Sequence, residues 1–156
     1  MLILLPLAAA LVFPNSTAPA GMGTFTAAEL ASAGVGANFN TQYKCEVGPG
    51  SPLFADMFKA AFQLALQPGV VGCNQNNGVG SKCTRVVRAG SAAISICGRY
   101  GVNMECRQLG ALSLLLVVTR CRAVVGGAER TGGLIFVSEW APGNQHFKIS
   151  HHGSWV

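Results

Sequence analysis

The sequence is poor in charged side chains, and its few carboxylates are scattered. Only 11% of its 156 residues are charged, and 6 are acidic. The carboxylates are too few and too far apart to suggest the paired acid and base of a glycosidase. The sequence also lacks a C-x-x-C motif, since even Cys97 and Cys106, the nearest cysteines, are well separated. This spacing disfavours a zinc site, and neither a metal nor a cofactor is predicted.

Charge is missing altogether from the N-terminal part of the chain, where Glu29 is the first charged residue. Residues 1–20 are largely apolar and end in Ala18-Pro19-Ala20, with small residues at the two positions that a signal peptidase reads. No Lys or Arg precedes the apolar run, and an uncleaved N-terminal anchor is the alternative interpretation. The pattern predicts a cleaved signal peptide over residues 1–20 and therefore a secreted, extracellular protein.

All the cysteines follow this segment, and their even number in an exported chain is typical of a disulfide framework. Three bridges are therefore predicted, in a connectivity that the sequence leaves open. The residues concerned are Cys45, Cys73, Cys83, Cys97, Cys106 and Cys121.

Residues 21–44 have little hydrophobic pattern and are predicted to be a loosely ordered segment, with a short helix at Thr26–Ala31. Residues 45–156 are predicted to form the structured domain. Its first helix begins at Ser51–Pro52, which suit the N-cap and the first helical position, and ends at Gln67–Gly69. The apolar face of this helix is rich in phenylalanine, and these rings are expected in the core.

Two strands are predicted between Cys83 and Cys97, with Gly90 at the centre of the turn. This arrangement places the two cysteines opposite each other, at a distance that a disulfide can span. The pair belongs to one possible connectivity among the fifteen that six cysteines allow. Upstream, Cys73 lies in a turn-rich connection over residues 69–81, which a bridge is expected to hold in place.

A second helix is predicted between Asn103, a favourable N-cap, and the arginines Arg120 and Arg122, which lie at the negative end of the helix dipole. Its residues are apolar nearly all round, so that it is expected to be buried on most sides. Cys106 and Cys121 would lie about 22 Å apart along such a helix. They cannot bond to each other, and each is predicted to link the helix to another part of the fold.

Two further strands are predicted near the C-terminus, over Leu134–Trp140 and His146–Ser150. They are expected to form a closing antiparallel hairpin after a glycine-rich loop at residues 126–133. The order helix, two strands, helix, two strands indicates an α+β fold. The expected architecture is a two-layer α/β sandwich with an antiparallel sheet and two helices, stapled by disulfides.

The part of the chain from Cys83 to Trp140 carries a family resemblance. Its landmarks are Gly90–Cys97, Cys106–Leu109, Cys121-Arg122 and the glycine-flanked strand Gly132–Val137. The pattern resembles small secreted fungal proteins of the virally encoded smut killer-toxin type and the related killer-toxin-like effectors. The resemblance implies a small α/β sandwich with several disulfides and a basic surface. It also implies an activity that stops the growth of competing cells by interfering with calcium channels.

The chain departs from that family in three respects. The interval from Cys106 to Cys121 is about one helical turn longer, the cysteines are fewer, and none of them closes the C-terminus. The family's critical lysine precedes a cysteine-bearing strand, and Lys82 or Arg85 is its nearest counterpart here.

Basic residues give the protein a net charge of +5. Lys82, Arg85, Arg88 and Arg99 are predicted to share a surface on or beside the central strands, where they could bind phosphates or an anionic channel mouth. A solvated strand face without a ligand is the alternative. Tyr100 is the only aromatic residue nearby, which disfavours specific binding of nucleic acid.

These features predict a secreted, non-enzymatic, toxin-like effector that acts as a monomer at the surface or ion channels of another cell. Its expected partner is a membrane protein or an anionic or glycan surface. A secreted glycan-binding module is an alternative, in which Trp140 and Trp155 would stack on sugar rings.

Three histidines near the C-terminal end of the chain suggest a second alternative, a small secreted hydrolase such as a ribonuclease. His146, His151 and His152 could act in acid–base chemistry with Glu139, or could bind a metal ion. They lie at the C-terminal end of the chain, where segments are often mobile. No catalytic residue is assigned.

Overall fold

A computed structural model describes residues 22–34, 41–80, 82–137 and 146–151, the last range for its backbone alone. The helices of this part are Ala27–Ser32 (α1), Phe54–Ala65 (α2) and Cys106–Thr119 (α3). The strands are Met22–Thr24 (β1), Thr41–Cys45 (β2), Gly72–Asn74 (β3), Cys83–Ala89 (β4), Ala92–Cys97 (β5), Asn103–Glu105 (β6), Arg122–Val125 (β7), Ala128–Thr131 (β8), Gly133–Val137 (β9) and His146–His151 (β10).

The largest sheet has the order β1-β2-β9-β10-β5-β4, and each strand is antiparallel to its neighbours. Helices α2 and α3 pack against each other, and α2 also contacts β4 and β5. The core lies between the helices and one face of the sheet, where Ile94, Ile96 and Ile135 are fully buried. The predicted disulfide-stapled α+β fold with an antiparallel sheet is confirmed.

The contact between α2 and α3 depends on small residues. Ala60 and Ala61 of α2 are fully buried. On α3, a Cβ atom at the position of Gly110 would lie 2.2 Å from the backbone nitrogen of Ala65. The missing side chain of Gly110 therefore allows the two helix backbones to pack directly against each other.

Three disulfides join the elements, and the described cysteines are all paired. They are Cys45–Cys121, Cys73–Cys106 and Cys83–Cys97. Helix α3 is anchored at both ends, as predicted, because its first residue is bonded to β3 and the cysteine after its end is bonded to β2. The predicted cross-strand pair is confirmed as well, with the Cα atoms of Cys83 and Cys97 4.0 Å apart.

The expectation that the phenylalanines of α2 lie in the core is wrong. The side chains of Phe58 and Phe62 are 41% and 47% exposed. Helix α2 buries only the narrow face formed by Met57, Ala60, Ala61 and Leu64, because the close approach of α3 leaves no room there for rings. The phenylalanines are displaced to the flank of the helix.

The predicted N-cap of the second helix is also wrong. Asn103 pairs with Asn74 in the β3–β6 ladder, and α3 begins only at Cys106. Tertiary contacts explain the later start of the helix, because the β3–β6 ladder adjoins the Cys73–Cys106 bridge and holds residues 103–105 in extended form. The burial predicted for the helix is confirmed, because only Arg107 and Thr119 of α3 are exposed.

The N-terminal segment is more regular than expected. Where described, residues 22–44 contain two sheet strands and the short helix α1, which was predicted. The side chain of Thr26 caps α1 by accepting from the Glu29 amide at 3.2 Å. The weak hydrophobic pattern concealed β2, which pairs with β9 inside the sheet. The predicted signal peptide lies outside the described residues.

A hairpin replaces most of the loop expected at residues 126–133. Strands β7 and β8 pair across Gly126 and Gly127, whose φ angles are +61° and +77°. Two successive residues with positive φ are what a tight hairpin turn requires, and glycine adopts them without strain. The expected closing hairpin is confirmed by the pairing of β9 with β10, although residues 138–145 lie outside the described part.

Candidate functional site: a basic hairpin

Strands β4 and β5 with their flanking residues form what we call the basic hairpin (residues 82–99). Its turn consists of Gly90, with φ +52°, and Ser91. The carboxylate of Asp56, on α2, accepts hydrogen bonds from the Ser91 hydroxyl at 2.6 Å and the Ser91 amide at 2.8 Å. These hydrogen bonds lower the pKa of Asp56. The tip of the hairpin is therefore bonded to the helix layer.

The lowered pKa of Asp56 makes this anchor sensitive to acid. A carboxyl whose pKa is lower in the folded than in the unfolded state stabilises the fold above its unfolded pKa, near 3.8, and loses that contribution as the pH falls. We expect Asp56→Asn to lower the free energy of unfolding by about 1 kcal/mol at pH 6, with the difference from wild type shrinking below pH 4. Urea unfolding across this pH range measures it.

Glu46→Gln is the matched control for the acid sensitivity. Among the described residues, the side chain of Glu46 forms only an exposed ion pair with Lys44, and such pairs contribute little. A difference between Asp56→Asn and wild type that is independent of pH down to pH 2.5 would contradict the proposed anchor.

The base of the hairpin is held by a disulfide and a buried amide. Beside the Cys83–Cys97 bridge, the Gly98 amide donates to the Lys82 carbonyl at 2.9 Å. The fully buried side chain of Gln75 accepts from the Thr84 hydroxyl at 2.8 Å and donates to the Gly98 carbonyl at 3.0 Å. Because both ends are anchored, the hairpin presents its side chains on a fixed frame.

The predicted cations occupy two parts of this frame. Arg85 and Arg88 of β4 pair in register with Ser95 and Ala93, on the sheet face that is directed away from the helices. A β-bulge follows Arg85, and it keeps both arginines on that face. Lys82 and Arg99 are exposed at the base, on either side of the disulfide. The structure therefore brings Arg85 and Arg88 together and places the other two cations at the end of the same hairpin.

Asp56, bonded to the hairpin tip at Ser91, is a carboxylate that the structure places beside the basic hairpin. Among the described residues, no ion pair involves the four cations of the hairpin. The described glutamates form ion pairs with other cations instead: Glu29 with Arg120, Glu46 with Lys44, Glu105 with Arg107 and Glu129 with Arg122. The four cations of the hairpin therefore form a local positive charge, which attracts anions.

The histidines do not form one cluster. His146 and His151 stand at opposite ends of β10, about 17 Å apart at 3.4 Å per residue. His152, Glu139, Trp140 and Trp155 lie outside the described residues. Within the described part of the chain, no group of three potential metal ligands is found.

The phenylalanines Phe54, Phe58 and Phe62 form an aromatic ridge on α2, and its exposure was not predicted from the sequence. Neighbouring rings are 6.0 and 6.1 Å apart between centroids. The guanidinium carbon of Arg122 lies 4.1 Å from the centroid of Phe54, in a cation–π contact. Helical spacing predicted the stripe, but only the position of α3 determines which side of α2 remains exposed.

The structure also contains a groove that the sequence did not predict. It has a volume of about 720 Å³ and lies between the C-terminal end of α2, β3 and β4. Its floor contains Leu64, Val86, Val87 and the Cys73–Cys106 bridge. Its rim carries the exposed amides Gln63, Gln67, Asn74 and Asn76. Val86 and Val87 belong to β4, so that the groove lies beside the basic hairpin.

No family model matches the chain, and no curated protein or solved structure matches it either. In the described part of the chain, no helix has the length and hydrophobicity that a membrane crossing requires.

Proposed function

We propose that this protein is secreted and acts without catalysis at the surface of another cell, as a toxin-like effector of fungal type. In this proposal the basic hairpin contacts an anionic surface or the mouth of an ion channel. The observation that carries the proposal is the set of four cations on a doubly anchored hairpin, without ion-pair partners among the described residues.

Two further features support the proposal. Three disulfides suit a protein that must persist outside the cell. The resemblance to killer-toxin-like proteins, which rests on cysteine spacing and a few apolar positions, agrees with the same function.

Charge reversal on the hairpin tests the proposal. We expect Arg85→Glu/Arg88→Glu to weaken binding of the fluorescently labelled protein to fungal or plant cells at least tenfold, because an attractive local field becomes repulsive. Growth inhibition or necrosis should fall in parallel. Binding of the wild type should also weaken when the salt concentration is raised from 0.05 to 0.5 M, since salt screens exposed charges.

Lys59→Glu/Arg107→Glu is the matched control, because it changes the net charge equally on the helix side of the molecule. Both residues are exposed, and this variant should bind cells within twofold of wild type. Equal losses in both variants would show that net charge alone matters, and would contradict a site on the hairpin. The absence of binding, growth inhibition and necrosis for the wild type would refute the function itself.

A further inference from the structure

The groove beside the hairpin has the composition of a site for an uncharged ligand. None of the described residues that line it carries a charge. A charged ligand would lose hydration there without gaining an ion pair. The volume of about 720 Å³ falls in the range of ordinary ligand sites.

The rim of the groove offers hydrogen bonds of a particular kind. Each amide of Gln63, Gln67, Asn74 and Asn76 has two donor hydrogens and an acceptor oxygen. Among the described residues, these four side chains form a single hydrogen bond. In it, the side-chain amide of Gln67 donates to the backbone carbonyl of Gln63 at the long distance of 3.4 Å. Donors and acceptors in close alternation match a ligand that is rich in hydroxyl groups, since each hydroxyl both donates and accepts.

The groove is formed in advance on a rigid frame. The Cys73–Cys106 bridge lies in its floor. The backbone amide of Asn76 donates to the Thr84 hydroxyl at 2.7 Å, and that hydroxyl in turn donates to the side-chain oxygen of buried Gln75. Preorganisation of this kind reduces the entropy lost on binding.

Strand addition by a peptide is a poor alternative for this groove. Although β4 is an edge strand of the sheet, its ladder is irregular between Arg85 and Val87. A bulge of this kind disrupts the row of hydrogen-bonding groups that an added strand would need. A ligand in this groove would therefore be recognised by side chains and not by strand pairing.

We infer that the groove binds a neutral oligosaccharide, with the amide rim on the hydroxyls and the apolar floor under a sugar ring. The inference rests on the proposed function, in which the groove would hold the protein on the glycans of a target cell while the basic hairpin meets its anionic partner. Sugar binding of this kind is insensitive to salt, in contrast to the contacts of the hairpin.

Calorimetric titration of the purified protein with hexasaccharides of glucose, mannose and N-acetylglucosamine tests the inference, with a hexasaccharide of galacturonic acid as the charged comparison. At least one neutral hexasaccharide should bind. Gln63→Ala/Gln67→Ala should then weaken its binding at least tenfold, because two amides of the rim are lost. Asn74→Ala/Asn76→Ala should do the same from the other side of the groove.

Gln42→Ala is the control, since Gln42 is an exposed amide on β2, and it should bind as wild type does. The inference is overturned if no neutral hexasaccharide binds, if only the acidic one binds, or if both groove variants bind like wild type. Arg85→Glu/Arg88→Glu should keep its sugar affinity even if it no longer binds cells. A failure of the hairpin and a failure of the groove are thus distinguishable.

Discussion

Replacing Cys45 and Cys121 together by alanine is expected to lower the free energy of unfolding by about 4 kcal/mol. The bridge joins residues separated by 76 positions, the longest loop of the three disulfides described. A longer loop removes more conformational entropy from the unfolded chain. This bridge also connects the end of α3 to β2, so that its loss removes a covalent link between the helix layer and the sheet.

Urea unfolding at pH 7 measures this loss, and Cys83→Ala/Cys97→Ala is the comparison. That bridge closes a loop of only 14 positions between paired strands, and its removal should cost about 3 kcal/mol. If its removal proved as costly as that of Cys45–Cys121, the loop-length explanation would be wrong for this protein.

Gly110→Ala is the second substitution with a large expected effect on the free energy of unfolding. The expected change is opposite in sign to the one that helix propensity predicts. Alanine in a helix interior is favoured over glycine by about 1 kcal/mol. Here the new Cβ would lie 2.2 Å from the Ala65 nitrogen and 2.7 Å from the Ala61 carbonyl oxygen. Backbone atoms cannot rotate away, so that the helices must separate, and we expect a net loss of about 2 kcal/mol.

Ser113→Ala on the same helix is the control for Gly110→Ala. The hydroxyl of Ser113 is fully buried and has no hydrogen-bond partner among the described residues. Its removal should leave stability unchanged or raise it by about 1 kcal/mol. Thermal unfolding should show a lower midpoint for Gly110→Ala and an unchanged or higher midpoint for Ser113→Ala. A stabilised Gly110→Ala variant would contradict the direct backbone contact between α2 and α3.

The candidate site was only partly accessible from the sequence. The turn at Gly90 and the pairing of Cys83 with Cys97 placed the cations on one hairpin, because strand alternation and turn residues act over a few positions. The pairing of the described glutamates with other cations could not be inferred in this way, since Glu29 is bonded to Arg120 across 91 residues. The groove combines residues of α2, β3, β4 and the start of α3 with their flanking positions, and no local pattern predicts such a combination.

The aromatic ridge illustrates why burial was harder to predict than helicity. Hydrophobic spacing correctly predicted a helix over the phenylalanines, because periodicity is a property of the local chain. Which part of a wide apolar helix face is buried depends on the element of the fold that packs against it. Gly110 brings α3 against the alanines of α2, and the rings of Phe58 and Phe62 are left at the surface.

The sequence by itself determined the α+β class, the strands that flank Gly90 and the double anchoring of α3, and it offered Cys83–Cys97 as one possible disulfide among others. These follow from turn chemistry, periodicity and the length of a helix, which need no knowledge of distant residues. Only the tertiary structure decided the disulfide connectivity, with Cys45 bonded to Cys121 and Cys73 to Cys106. It also decided the extended form of Asn103 and the exposure of Phe58 and Phe62, since each depends on contacts between segments far apart in the chain.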